Sequence, residues 1–343
     1  MEQRDVIVVG GSAAGLTAAL TAVRHYPSKS VLVIRREEQV LVPCGIPYIF
    51  GTLESAEKNV MPDAPYEANN IALMKANVTA IDRDKRILNT GAGDVQYDRL
   101  VLATGSMPIM PPIPGIELSG VCVIQKDLEY LKGLQNHLKT ARNVVIVGGG
   151  FIGIEFADEI NKMGDAKITV VEVAPHCLSL AYDDEFCAEM EEVIASRGID
   201  IKTSLKVDRI EGTDRVERVR LSDGSEIEAD TVILAIGAKA NVDLAKKCGL
   251  RIDLTGSIAV DQTMLRVCPD PAVREKMPKR QGTGRGQTRE DIVQIGPRIN
   301  PKPFARDDQT VQHGRRVARA LGITNLNPPI PGEGPFKVQE GPM

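Results

Sequence analysis

A chain of 343 residues is too long for one ordinary core and suits two domains of about 100–200 residues each. Its 43% apolar content can fill such cores, while 3% aromatics, no Trp and a net charge of -4 exclude the basic, stacking surface of a nucleic-acid binder. Six scattered cysteines with no C-x-x-C and four scattered histidines exclude a secreted disulfide framework and zinc-type ligand spacing. Reduced thiols in the cytoplasm, with no metal, are therefore expected.

The first predicted unit opens at "DVIVVGGSAAGLTAAL", Asp5 to Leu20. Val6 to Val23 is an uncharged run near the length of a membrane span, but Gly10, Gly11 and Gly15 interrupt it between a β-branched stretch and an Ala-rich one. Strand, tight turn and helix follow, and no membrane segment is predicted. A second strand is expected within "SVLVIRREE", Ser30 to Glu38, with Arg35 and Arg36 near its end. Next comes "VLVPCGIPYIFG", where Pro43 precedes the isolated Cys44. Short strands and turns are read through "NVTAIDRDKRILNTGAGDVQYDRLVLATG", and the Pro-rich "MPIMPPIPG" (Met107 to Gly115) reads as an extended linker.

The same grammar returns in "NVVIVGGGFIGIEFADEI", Asn143 to Ile160, followed by the strand-like "AKITVVEVA". Gly148, Gly150 and Gly153 form G-x-G-x-x-G after an apolar strand and at the start of a helix, the context in which backbone amides bind a dinucleotide pyrophosphate. Glu172 ends the next strand about 20 residues on, where a carboxylate accepts from the adenosine ribose. "VAPHC" after it contains no Lys or Arg for a 2'-phosphate, so NADH is favoured over NADPH. The first copy is less regular: Gly10 and Gly15 are kept, but Ser12 stands at the middle glycine position, followed by Ala13 and Ala14. Further on, "RVERVRLSDGSEIEADTVILAIG" predicts a hairpin around Asp223-Gly224 and a buried strand ending at Gly237.

From about Met264 the sequence turns Pro- and Arg-rich. "EKMPKRQGTGRGQTRED" reads as loop or disorder, and "TVQHGRRVARALGI" (310–323) has the spacing of a helix.

"GGSAAG", "PCGIPYIFG", "YDRLVLATGSMP", "VVIVGGGFIGIEFA" and "ADTVILAIG", in this order, resemble the FAD- and NAD(P)H-dependent pyridine nucleotide-disulfide oxidoreductase family over roughly residues 4–263. The resemblance is to its single-cysteine branch of coenzyme A-disulfide and persulfide reductases, NADH oxidases and NADH peroxidases. It implies an α/β fold with two Rossmann-like, three-layer ββα dinucleotide-binding domains. The expected boundaries are 1–114 plus about 255–325 for FAD, 115–254 for NAD(P)H, and 326–343 as a tail. It further implies FAD at Gly10, Ser12, Ala13, Ala14, Gly15, Arg35 and Pro43, closed over by Ala103, Thr104 and Gly105. NADH is implied at Gly148, Gly150, Phe151, Ile152, Gly153, Glu155, Glu172 and Gly237.

Cys44 is the implied catalytic residue. Relatives that use an internal disulfide resemble C-x4-C here, and the second position in this chain is Ile49. A lone thiolate can attack an external disulfide or persulfide, or cycle through a sulfenic acid when oxygen is the acceptor. Nearby positive charge, a dipole or the oxidised flavin would have to favour that thiolate. The other cysteines read as inert. Peroxidases of the branch place a histidine where this chain has Ala13, which disfavours peroxide chemistry.

The expected function is electron transfer from NADH through flavin and Cys44 to a small disulfide or persulfide such as a coenzyme A derivative. Oxygen reduction, reduction of a small iron protein, and an inactive nucleotide-binding remnant stand as alternatives. After "GSIAVDQTMLR" the family's Gly-Asp pair, which holds the flavin ribityl chain, has no match. The C-terminal domain through which the family dimerises has none either, so a homodimer is not carried over. A diverged member and a disrupted reading frame both remain open as the origin of this tail.

Overall fold

The structure, a computed structural model, describes residues 1–164, 166–260 and 264, and the backbone of the strand Ile292–Gln294. The loop "EKMPKRQGTGRGQTRED", the helix at 310–323, the absent Gly-Asp pair and the tail 326–343 lie outside the described residues.

β-Branched runs make the strands. Glu2–Val9, Val31–Arg35 and Ala72–Lys75 lie side by side and parallel, with Val95–Leu102 on the other flank of the first strand. Ile87–Thr90 and Val78–Asp82 extend this sheet as an antiparallel meander, and Ile292–Gln294 pairs parallel to Leu100–Leu102. All five residues of Val31–Arg35 are buried, as expected for a strand covered on both faces. The helix Ala13–His25 packs on this sheet, burying Gly15 and Ala19.

The second sheet is wholly parallel, in the order Val121–Val123, Thr231–Leu234, Asn143–Val147, Lys167–Val171, Asp200–Lys202. The helices Leu128–Leu138, Phe151–Asn161 and Asp184–Ser196 contribute to its core, and Asp127 caps the first of them by accepting from Tyr130 N at 2.8 Å. The predicted hairpin is present as Arg218–Leu221 against Glu226–Glu228 and belongs to a three-stranded antiparallel sheet with Val207–Glu211.

Two features join the sheets. Ser106–Pro108 pairs antiparallel with Ala238–Ala240, so the predicted linker begins as one strand of a ribbon between the two crossing connections. The segment after Cys44 forms the short 3-10 helix Pro47–Phe50, which packs on the helix Phe151–Asn161. Its Ile49 and Phe50 lie in one continuous core with Phe156, Ile160 and Leu131.

Candidate active site

Both glycine turns are built alike. Gly10 N donates to Ile34 O and Gly148 N donates to Val171 O, each at 2.8 Å. Gly10 has φ +112° and Gly148 φ +109°, and each packs against an alanine carbonyl from the strand that closes the turn. A Cβ at Gly10 would lie 2.1 Å from Ala103 O, and one at Gly148 would lie 2.7 Å from Ala235 O. The third glycines repeat the match: a Cβ at Gly15 would come within 1.8 Å of Gly10 O, and one at Gly153 within 1.9 Å of Gly148 O. Each helix can therefore press its N-terminal turn onto a loop whose backbone is free to meet phosphate.

The first cradle also fits such a group by its polar inventory. Ser12 Oγ is buried with no hydrogen-bond partner, although Ser12 caps the helix position. Ala13 and Ala14 open the helix and add no bulk. Tyr66 OH donates to Gly11 O at 3.0 Å, and its own ionisation is pushed up by burial. Arg35 is buried and ion-paired with Asp63. In the second cradle Glu172 accepts from Gly149 N at 2.6 Å and from Ala174 N at 2.8 Å, which holds its carboxylate at the turn. Leu178 N returns to Gly149 O at 2.9 Å, and Cys177 and His176 are both held by Glu191.

Each expected closing segment meets the chain that follows the other. Thr104 Oγ1 donates to Asn241 O at 2.7 Å and Asn241 N donates to Gly105 O at 2.9 Å. Gly237 O accepts from Ile109 N at 3.1 Å. Ala103-Thr104-Gly105 and Ala235-Ile236-Gly237 thus occupy matching places, each ending in a glycine of positive φ. Phe151 and Ile152 are exposed at the start of the second helix. Phe151 meets Tyr182 edge-on at 5.8 Å, and Tyr182 meets Phe186 at 4.6 Å, an aromatic cluster that the sequence reading missed. Glu155 lies half-buried one turn along, its carboxyl raised first by burial and then by the charge of Glu159.

Cys44 is exposed in the 3-10 turn Pro43–Gly45. Asn59 fastens that turn: Nδ2 donates to Val42 O at 3.1 Å, and a Cβ on Gly45 would lie 2.1 Å from Asn59 Oδ1. Beyond the turn, Phe50 meets Phe156 at 5.1 Å, Gln135 Nε2 donates to Ile49 O at 2.7 Å, and Thr52 Oγ1 donates to the buried Glu159 at 2.9 Å. The cysteine segment leaves the first cradle's strand and is anchored on the helix that opens at the second cradle. Ile49, at the second position of the C-x4-C spacing, is fully buried in that anchor.

The other cysteines divide. Cys177 and Cys187 are buried as expected, whereas Cys122 and Cys248 are only half-buried because they sit on an edge strand and at a short helix end; Cys268 lies outside the described residues. Burial, then the charges of Glu191 and Glu172, push the Cys177 thiol up to about 12. At pH 8 its thiolate fraction is roughly 10⁻⁴. Brief treatment with iodoacetamide at pH 8 is therefore expected to alkylate Cys44 and leave Cys177 unmodified until urea is added, as read by peptide mass spectrometry. Equal labelling of both in the folded protein would contradict the buried placement.

Among the described residues no group of three His, Cys, Asp or Glu could hold a metal ion, and no helix is long and apolar enough to cross a membrane.

The family model for pyridine nucleotide-disulphide oxidoreductases matches residues 4–273. An NAD(P)H sulfur oxidoreductase (CoA-dependent) of Pyrococcus abyssi is 34% identical over 270 residues, covering 76% of this chain and 60% of the relative. An NADH oxidase of Methanocaldococcus jannaschii is 32% identical over 268 residues, covering 74% of this chain and 58% of the relative. The solved NAD-dependent persulfide reductase from A. fulgidus aligns with TM-score 0.73 and 30% identity over 84% of this chain and 52% of that one. The chain thus spans less than two thirds of the length of these relatives. With two matching glycine cradles and an α/β fold of parallel sheets, the chain belongs to the pyridine nucleotide-disulphide oxidoreductase family.

Proposed function

We propose that this chain uses NADH, through FAD and Cys44, to reduce a small disulfide or persulfide such as a coenzyme A derivative. The observation that carries this reading is the placement of Cys44, exposed in a fastened turn whose following segment packs on the helix of the second cradle, with a buried Ile49 where a second thiol would have to stand. Residues 1–114, with chain from about 255–325, would hold FAD, and residues 115–254 would hold NADH.

FAD, when bound, supplies the two-electron carrier between nicotinamide and sulfur. Gly10, Ser12 and Gly15 would seat its pyrophosphate, with Ala103, Thr104 and Gly105 closing the turn. Gly148, Gly150 and Gly153 would seat that of NADH, and Glu172 would accept from its adenosine ribose. The exposed Val173 and the absence of Lys and Arg from 173–177 favour a ribose without a 2'-phosphate. Free thiols throughout the described residues suit a reducing compartment such as the cytoplasm.

The sulfur chemistry belongs to Cys44. Its thiolate attacks one sulfur of RSSR, the S–S bond breaks, RS⁻ leaves, and Cys44 is held as a mixed disulfide. Two electrons originating on NADH then cleave that bond, releasing the second thiol and restoring the Cys44 thiolate. Overall, RSSR + NADH + H⁺ gives 2 RSH + NAD⁺.

The test is anaerobic turnover of the FAD-reconstituted protein with NADH and coenzyme A disulfide. Two free thiols per NADH consumed are expected. NADH consumption that requires oxygen and ignores the disulfide would replace this reading with an oxidase.

A further inference from the structure

The matching hydrogen bonds of the two cradles also match the residues that follow them. Val171, which accepts from Gly148, is followed by Glu172; Ile34, which accepts from Gly10, is followed by Arg35. Their relation to the turn is equivalent too. A Cβ on Gly149 would lie 3.0 Å from Glu172 Cβ, and one on Gly11 would lie 3.2 Å from Arg35 Cβ. Where the second cradle carries the carboxylate that reads a ribose, the first carries a guanidinium.

That guanidinium is not a free cation. Arg35 is 3% exposed, and its Nη1 and Nη2 donate to the two carboxylate oxygens of Asp63 at 2.6 and 2.8 Å, a bidentate pair. Nη2 also donates to Glu38 O at 2.9 Å, and Nε is buried without a partner. Asp63 stands just before the short helix Ala64–Ala68, yet its carboxylate makes no cap bond. Its side chain keeps 35% exposure, and each oxygen bound to Arg35 has a second lone pair. Tyr66 of that helix donates to Gly11 O, so the helix carrying the acid is tied directly to the glycine turn. A 2'-phosphate on Arg35, the arrangement of NADP sites, would have to displace a bidentate carboxylate from a buried guanidinium.

We propose that Asp63, positioned by Arg35, is the carboxylate that reads the adenosine ribose of FAD in the first cradle. The acid has moved from the end of the second strand to the start of the 64–68 helix, and Arg35 has become its positioning residue. This rests on the FAD reading above and adds the group that selects the adenosine half.

The test uses the full chain stripped of flavin, titrated separately with FAD and with FMN, which lacks the adenosine, by flavin fluorescence. NADH binding to the second cradle serves as the folding control. Asp63→Asn is expected to weaken FAD by about 10-fold or more, the effect of losing a charged acceptor, and to leave FMN and NADH binding unchanged. The double variant Arg35→Glu/Asp63→Asn copies the second cradle and is expected to bring FAD affinity back to within about 3-fold of the parent. Unchanged FAD affinity in Asp63→Asn, or equal weakening of FAD and FMN, overturns the proposal. If Asp63→Asn fails to bind NADH, the double variant decides: a preference for FAD over FMN supports the proposal and its loss overturns it. A parent chain that takes up neither flavin removes the FAD reading, and the proposal with it.

Discussion

Cys44→Ser is expected to lower disulfide reduction by roughly 10³-fold or more, the scale seen when a covalent nucleophile is removed. NADH binding and NADH-dependent bleaching of bound flavin are expected to survive. Serine keeps the size of the side chain in an exposed turn, and the turn is held by groups other than the thiol, chiefly Asn59 on Val42 O. Stopped-flow absorbance separates the two halves of the reaction: hydride delivery, then consumption of disulfide. Loss of both halves together would place Cys44 in the fold and not in the chemistry. Retention of both would assign electron delivery to oxygen or to a protein acceptor.

Gly10→Ala is expected to abolish flavin retention and to destabilise the first sheet by about 3 kcal/mol or more. Two effects add. A side chain at φ +112° is strained wherever it stands, and this Cβ would lie 2.1 Å from the backbone oxygen of Ala103. That oxygen belongs to the end of a strand held by the bond from Ala103 N to Val9 O at 2.8 Å, so it cannot retreat without breaking the pairing of Val95–Leu102 with Glu2–Val9. The check is the urea midpoint together with the visible flavin band after gel filtration. Gly91→Ala serves as comparison: a Cβ there meets nothing within 4 Å, and a change within about 0.5 kcal/mol is expected. Equal stability of the two variants would show that the turn can relax around the methyl group.

Much of the candidate site was legible because its chemistry is local. A β-branched run, glycines at fixed offsets and an Ala-rich or amphipathic run specify strand, turn and helix within about 20 residues. That places Gly10, Gly15, Gly148, Gly153 and Glu172 without tertiary information. Cys44 was legible from its Pro-Cys-Gly-Ile-Pro context and the resemblance that this context carries, whereas its exposed 3-10 turn came from the structure.

The sequence by itself therefore determined two glycine-turned parallel units and the proline-flanked Cys44 that follows the first of them. Only the tertiary structure decided what each side chain meets. Arg35 stands at the end of a strand in the sequence, where the resemblance implies a contact to FAD, and becomes the buried half of an ion pair because Asp63, 28 residues away, stands just before the helix that Tyr66 ties to the same turn. Glu159 is an acid within the helix Phe151–Asn161 and is buried because the chain at 47–52 lies across it and supplies Thr52 as donor. The ribbon of Ser106–Pro108 with Ala238–Ala240 joins strands more than a hundred residues apart. Local propensity carries no record of such pairings, because their energy comes from desolvating groups that are distant along the chain and adjacent only once both sheets have formed.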